Sequence, residues 1–186
     1  MIEWLENIDR SLFLWLNSFH SELFDGFFWC VTNKYFGIPF YLIGIFLLVR
    51  GFGWKKGLIL TAGAVLAVAL ADQTAQHLFK NVFERWRPSH NNEIKDLVHI
   101  VNDYRGGVNG FVSSHAANMF AIAMFIGLIL NRKVMVIGML IAGLIAYSRI
   151  YLGVHYPADV LCGGILGLCI GWLVYRFFYN VLTLNK

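Results

Sequence analysis

The chain has 186 residues, of which 58% are hydrophobic, 16% aromatic and 14% charged, and its formal net charge is +4. Typical soluble domains carry about 25% charged residues, so this composition excludes a soluble globular protein and indicates an integral membrane protein. We therefore expect the chain to lie in a lipid bilayer and to bind no nucleic acid.

The N-terminal segment, residues 1–20, predicts an amphipathic helix that lies at the membrane interface. It lacks the basic start, short apolar run and small-residue cleavage site of a signal peptide. A sixth membrane-spanning helix is the alternative. Apolar residues recur at helical spacing at Met1, Leu5, Ile8, Leu12, Trp15 and Phe19, with Glu3, Glu6, Asp9, Arg10 and Asn17 between them.

Five apolar segments follow, each close to the length that one helical crossing requires. They are 26–49, 57–71, 116–131, 134–148 and 160–175. Lys34 interrupts the first, so its apolar part is either short or has a lysine that snorkels to the interface. We predict an all-α, polytopic membrane helix bundle: one domain over residues 1–186, with five spanning helices plus the interfacial helix.

Basic residues in the short loops predict the orientation of the bundle, because such loops tend to face the cytoplasm. These residues are Arg50, Lys55 and Lys56 after the first span, Arg132 and Lys133 after the third, and Arg176 and Lys186 after the last. All fall on one face. We expect a multi-pass protein of the inner, cytoplasmic membrane, with the long loop 81–112 facing outward.

Small residues at four-residue steps predict close helix packing within the bundle. One stripe is Gly63, Ala67, Ala71 and Ala75, and the other is Gly163, Gly167 and Gly171. A homodimer interface is the alternative use of such stripes, and we do not predict it. The three cysteines lack paired spacing and are interpreted as small packing residues.

Polar residues that membranes usually exclude form three groups at the ends of spans, where they are functional candidates. The groups are Lys80, Arg85, Arg87 and Pro88; Ser113, Ser114 and His115; and Ser148, Arg149, His155 and Asp159. Spans two and four end, and spans three and five begin, on the same side of the membrane. All three groups should therefore meet at the outer face.

The first two groups suit anion binding. Lys80 and Arg87 are seven residues apart, nearly in line on one helix face, and Pro88 predicts that this helix ends near Arg87. Both residues could bind one anion or anchor lipid headgroups. Ser113 and Ser114 predict a capped helix start with free N–H groups, beside which His115 could donate a proton; an ordinary capped helix is the alternative.

The third group suits nucleophilic catalysis. His155 and Asp159 are four residues apart, so a helix that starts near Pro157 would bring imidazole and carboxylate together on one face. A carboxylate that accepts one ring N–H fixes the tautomer and leaves the other nitrogen as a nucleophile. Arg149 adds a guanidinium suited to bidentate phosphate contact.

Together, the blocks KNVFERWRP (80–88), VSSH (112–115) and SRIYLGVHYPAD (148–159) resemble the signature of the type-2 phosphatidic acid phosphatase superfamily, which also includes vanadium haloperoxidases. The order and internal gaps match that signature. In the second block Val112 and Ser114 replace the family proline and glycine, which affects the geometry expected of a phosphate cradle.

The resemblance implies that His155 attacks phosphorus to give a phosphohistidine, that Asp159 orients it and that His115 protonates the leaving oxygen. Lys80, Arg87, Arg149, Ser113 and Ser114 would hold the phosphoryl oxygens. No metal or other cofactor is expected, and the sequence offers no carboxylate cluster for one.

The expected substrate is a membrane lipid phosphate or diphosphate, with undecaprenyl diphosphate as the first choice. Phosphatidylglycerol phosphate, phosphatidic acid and lipid A phosphate are the alternatives. The outer-loop residues 102–107 are candidates for substrate selection. A transporter is the competing class, with Asp72 as its best evidence, although Asp72, Gln73 and Gln76 also suit a structural polar network. A haloperoxidase is a third interpretation.

Overall fold

The computed structural model describes residues 2–33 and 35–183, with backbone only for residues 2 and 180–183. Met1, Lys34 and Lys186, which entered the predictions above, lie outside the described residues. Within them the chain is helical, without a named strand, so the all-α prediction is confirmed. The α-helices are α1 (Ile2–Asn17), α2 (Glu22–Thr32), α3 (Ile38–Thr74), α4 (Asn81–Phe83), α5 (Ser114–Leu130), α6 (Arg132–Tyr151) and α7 (Pro157–Thr183), with a π-helix (Ala75–Lys80) and a 3-10 turn (Pro88–His90) between α3 and α5.

Three helical stretches in the described part of the chain are long and apolar enough to cross a membrane, namely Ile38–Phe83, Arg132–Tyr151 and Pro157–Tyr179. The apolar helix α5 is shorter, with 17 residues. These lengths support a membrane protein. The count of five spans stays a prediction.

Helix α3 reverses direction at Gly53, whose backbone is not helical (φ 76°, ψ 166°). A Cβ atom on Gly57 would lie 2.6 Å from the Cα of Val49. In a continuous helix, eight residues rise about 12 Å, so the arms on either side of Gly53 must fold back on each other. α3 is therefore a helical hairpin with a glycine at its tip.

The predicted first span, 26–49, is wrong in its bounds because it joins two separate helices. α2 ends at Thr32, where Asn33 adopts an extended conformation, and the first arm of α3 begins at Ile38. Pro39 lies in the first turn of that arm, where its missing N–H has no cost.

Helix α1 turns two of its polar residues, Asp9 and Asn17, toward the protein. Asp9, Phe13 and Asn17 are buried, whereas Leu5, Ile8, Leu12 and Trp15 on the other faces are exposed. The amide of Asn17 donates to the carbonyl oxygens of Ile150 and Tyr151 and so binds the end of α6. The exposed apolar side chains suit the predicted contact of α1 with lipid, and the interfacial position of this helix stays a prediction.

The glycine stripe of α7 packs against α5. Cβ atoms on Gly163, Gly167 and Gly171 would lie 2.5, 2.2 and 2.4 Å from carbonyl oxygens of α5 and its N-cap. Larger side chains would push the helices apart. The prediction of close packing within the bundle is confirmed for this stripe, and α5 forms the centre, in contact with α3, α6 and α7.

Candidate active site

The three polar groups predicted from the sequence meet around the beginning of α5. Lys80 Nζ donates to Ser114 Oγ over 2.7 Å, which joins the first group to the second. Ser113 N donates to the carbonyl oxygen of Asp159 over 3.0 Å, which joins the second to the third. The convergence comes from α5 and α7 packing in contact at their N-terminal ends.

Lys80 and Arg87 do not share a helix face, which corrects the prediction. The π-helix ends at Lys80 and α4 ends at Phe83, after which Glu84 adopts a left-handed conformation (φ 45°). Arg87 is extended, as the residue before a proline should be. The helix ends at Phe83, four residues before the end predicted near Arg87, because the left-handed conformation of Glu84 stops it first.

Arg87 is held by the outer loop and is 8% exposed. Its Nε donates to the carbonyl oxygen of Asn109 over 3.2 Å. A Cβ atom on Gly106 would lie 2.3 Å from the guanidinium, and one on Gly110 would lie 3.0 Å from the Arg87 side chain. These glycines let the loop lie directly against Arg87, so part of the predicted selection segment 102–107 borders the site.

Ser113, the N-cap residue of α5, is fully buried, but its side chain makes no capping bond. Its Oγ has no hydrogen-bond partner among the described residues. A buried hydroxyl without a protein partner is available to a ligand oxygen. His115 lies in the first turn of α5, where the sequence placed it.

The histidine and carboxylate are brought together at the start of α7. His155 Nδ1 lies 3.4 Å from Asp159 Oδ2, and both side chains are buried. His155 precedes α7 instead of belonging to it, which corrects the expected shared helix face. Asp159 Oδ2 also accepts from the backbone N–H of Tyr156 over 3.0 Å, which fixes the carboxylate.

Burial, followed by the positive charges of Arg87, Arg149 and Lys80, holds the pKa of His155 well below its usual value. Both causes disfavour the protonated ring. The imidazole is therefore neutral, as a nucleophile must be.

Arg149 is anchored by two residues that the sequence analysis did not assign to it. Its guanidinium donates to Thr32 Oγ1 on α2 and to the Tyr104 hydroxyl, the latter over 3.2 Å. Its Nε has no partner among the described residues. Arg149 is 2% exposed, so this donor is buried and can serve a bound anion.

Arg85 and Asp9 also border the site, although the sequence analysis gave neither of them a role there. Arg85 donates to Asp159 Oδ1 over 2.7 Å and to Asp9 Oδ2 over 2.8 Å. Burial lowers the pKa of Arg85, but the charges of Asp159 and Asp9 raise it above its usual value overall. Arg85 stood in the first polar group, but no local signal linked it to Asp9, which lies 76 residues earlier in the chain.

Asp72 has a structural partner. Asn118 Nδ2 of α5 donates to its Oδ1 over 3.3 Å. The contact joins the second arm of α3 to α5 and favours the predicted role in an interhelical polar network, although the partner is Asn118 and not a neighbouring glutamine.

Comparison with known families gives one match that covers most of the chain. Residues 57–182 match the model of the PAP2 superfamily. That stretch includes all eight predicted site residues.

Curated relatives and a solved structure resemble the chain over most of its length. A lipid A 4′-phosphatase of Bacteroides thetaiotaomicron is 41% identical, covering 98% of this chain and 82% of that protein, and one of Porphyromonas gingivalis is 35% identical, covering 95% and 75%. A putative undecaprenyl-diphosphatase, YbjG of Escherichia coli, is 28% identical, covering 96% and 86%. The crystal structure of Aquifex aeolicus LpxE superposes with a TM-score of 0.70 at 26% identity, covering 89% of this chain and 93% of that one.

Proposed function

Since this chain belongs to the PAP2 superfamily, we propose that it is a membrane lipid phosphatase that works through a phosphohistidine on His155 and that acts on the 4′-phosphate of lipid A. The observation that carries the chemistry is the buried contact between His155 Nδ1 and Asp159 Oδ2. A ring proton on Nδ1 would face this carboxylate, and the lone pair would then lie on Nε2 for attack.

In the first step, Nε2 of His155 forms a bond to phosphorus while the bond from phosphorus to the lipid oxygen breaks. His115 gives its proton to that oxygen, so the lipid leaves as an alcohol. In the second step, water gives a proton to His115 and forms a bond to phosphorus while the bond from phosphorus to Nε2 breaks, so that phosphate leaves and both histidines return to their starting states. Asp159 stabilises the positive charge that the ring carries between the two steps.

The surrounding cations stabilise the charge that develops on the phosphoryl oxygens. Arg87 and Arg149 are both nearly buried, so water screens their charges weakly. Lys80, the Ser113 hydroxyl and the backbone N–H groups at Ser114 complete the proposed phosphate site. These groups supply the electrostatic stabilisation that a metal ion supplies in other phosphatases, so the mechanism requires no metal.

Lipid A is placed ahead of undecaprenyl diphosphate because relatives at 41% and 35% identity are lipid A 4′-phosphatases, whereas the undecaprenyl-diphosphatase relative described above is 28% identical. This reverses the order that the sequence motifs suggested. Undecaprenyl diphosphate is the second candidate, followed by phosphatidylglycerol phosphate and phosphatidic acid. A transporter does not agree with the family.

The membrane arrangement is part of the proposal. The two arms of the α3 hairpin, α5, α6 and α7 would make five crossings, with α1 at the outer interface beside the site. The active site would then face the extracytoplasmic side of the inner membrane, opposite the basic hairpin tip of α3 at Lys55 and Lys56.

The test is phosphate release by purified protein in detergent with EDTA. The substrates are lipid A with phosphates at positions 1 and 4′, undecaprenyl diphosphate, phosphatidylglycerol phosphate and phosphatidic acid. We expect fastest release from lipid A, with mass spectrometry locating the loss at position 4′. His155→Ala should reduce the rate by about 1,000-fold or more, whereas His77→Ala, at an exposed position, should retain it.

Faster release from undecaprenyl diphosphate would overturn the lipid A assignment but keep the chemistry. Equal activity of His155→Ala and the wild type would overturn the chemistry itself.

A further inference from the structure

Arg85 lies between two carboxylates and divides its guanidinium between them. Arg85 Nη1 donates to Asp159 Oδ1 over 2.7 Å, and Arg85 Nη2 donates to Asp9 Oδ2 over 2.8 Å. The other oxygen of Asp159 faces His155 Nδ1. A continuous chain of polar contacts therefore runs from α1, through the outer loop, to the nucleophile.

Asp9 is fixed on both of its oxygens. Oδ1 accepts from the backbone N–H of Ala158 in the first turn of α7 over 2.9 Å, and Oδ2 accepts from Arg85. Asp9 is 8% exposed, and Arg85 also lies 4.2 Å from the centre of the Tyr156 ring. A carboxylate in so enclosed a place is costly unless it is paired, and here both of its partners belong to the site.

We propose that Asp9 and Arg85 are positioning residues that orient Asp159 and set the negative charge presented to His155. Helix α1 would then contribute a residue to the active site. The inference rests on the proposed function, because it assigns these residues to the phosphohistidine reaction. Neither residue belongs to the proposed phosphate site. Both act through Asp159.

The charges show how the two residues oppose each other. Asp9, Arg85 and Asp159 together carry a charge of −1, and this partly offsets the cations around His155. Removing the charge of Asp9 changes the total charge of the three residues to 0, and removing the charge of Arg85 changes it to −2. Removing both restores −1. Protonation of His155 should therefore become harder in the first variant, easier in the second and close to normal in the double variant.

Other charged and titratable groups also face the histidine and carboxylate pair, and the same groups surround the wild type and each variant. They are Lys80 on the π-helix, Arg87 on the outer loop, His115 on α5, Arg149 on α6, Tyr156 before α7 and Cys162 on α7. A difference between wild type and a variant therefore reports the substituted residue. Substrate ionisation cancels as well when one substrate is used throughout.

The test is the pH profile of kcat/KM for lipid A with Asp9→Asn, Arg85→Gln and the double variant, each as the full chain in detergent. Arg85→Gln should lower kcat by about 10- to 100-fold, the range seen when a group that orients a catalytic ligand is lost. It should also raise the acidic midpoint of the profile, which is the pH at which protonation halves kcat/KM, by about one pH unit. Asp9→Asn should move that midpoint down, and the double variant should return it toward wild type.

Glu3→Gln is the matched control, because Glu3 is an exposed carboxylate on the same helix; its profile should match wild type. Arg85→Lys keeps the positive charge and replaces Arg85→Gln in the test if that variant does not fold. It should lower kcat without moving the acidic midpoint. A midpoint unchanged in all variants, with wild type active and His155→Ala inactive, would overturn this inference and leave the proposed function intact. An inactive wild type would instead overturn the proposed function.

Discussion

At the scale of single residues, Ser114 stands where the family signature has glycine, and its side chain makes a contact that glycine cannot make. Ser114 Oγ accepts from Lys80 Nζ over 2.7 Å. Lys80 is long and flexible, so this contact restricts the direction of its ammonium group. The departure from the signature thus adds an anchor for one of the proposed phosphate ligands.

We predict that Ser114→Ala lowers kcat/KM about 3- to 10-fold, because a hydrogen bond to a charged group contributes roughly 1 kcal/mol or more. Lys80→Ala should cost considerably more, since it removes the charge. Steady-state kinetics on lipid A would measure both. A Ser114→Ala enzyme faster than wild type would show that the serine impairs the site.

The environment of His155 gives a prediction for pH. Burial and the neighbouring cations lower its pKa, so the ring stays neutral as the pH falls through the usual histidine value of about 6.5. We expect kcat/KM, corrected for substrate ionisation measured by ³¹P NMR, to hold its plateau down through this pH. An acidic midpoint at or above 6.5 that belongs to the enzyme would contradict the neutral, buried nucleophile.

Much of the site follows from the sequence because its residues lie in short blocks with fixed internal gaps. The contacts Lys80 to Ser114 and His155 to Asp159 join residues that the motifs had already named. The anchors Thr32 and Asp9 could not be found in this way. Thr32 contacts Arg149 and Asp9 contacts Arg85, and each pair is separated by more than 70 residues in the sequence. Only the packing of α1 and α2 brings them together.

At the scale of helices, the contact between α5 and α7 sets the distance between the two halves of the site. Ser113 is the N-cap residue of α5, and Asp159 lies in the first turn of α7. Gly163 and Gly167 permit the two backbones to approach closely. The small-residue steps in the sequence predicted this packing, because close helix contact in membranes requires small side chains.

We predict that Gly167→Ala destabilises the protein by about 1–3 kcal/mol, because its Cβ would lie 2.2 Å from the Ala117 carbonyl oxygen. Thermal unfolding in detergent would measure the loss, and activity should fall with it. Gly143→Ala is the matched control on α6, where a Cβ would meet nothing within 4 Å. Equal unfolding temperatures for the two variants would contradict the close packing of α5 and α7.

The turn within α3 shows the limits of pattern reading. Arg50, Lys55 and Lys56 marked an interruption between two apolar segments, and the chain does reverse there, at Gly53. The start of the first arm was misplaced, because α2 is nearly as apolar as a membrane span and hides the break before Ile38. Hydropathy reports the environment of a segment and does not report where its helix begins.

At the scale of the whole molecule, the proposed arrangement places the outer loop and the hairpin tip on opposite sides of the membrane. In a variant without Cys30, Cys162 and Cys169, the substitution Asp96→Cys should give a thiol that reacts with a membrane-impermeant maleimide applied to the extracytoplasmic side. The substitution Lys55→Cys should give a thiol that does not react. Both positions are exposed, so access to the reagent decides the labelling. The reverse pattern would place the active site in the cytoplasm.

The most direct test of the whole account is to trap the phosphoryl group on His155. Lipid A labelled with ³²P at position 4′ would be mixed with enzyme and quenched in alkaline detergent during the first turnovers. The account predicts label on the wild-type chain that survives alkali, is released by acid, and is absent from His155→Ala. A His155→Ala chain that carries the label, or that releases phosphate at the wild-type rate, would contradict it.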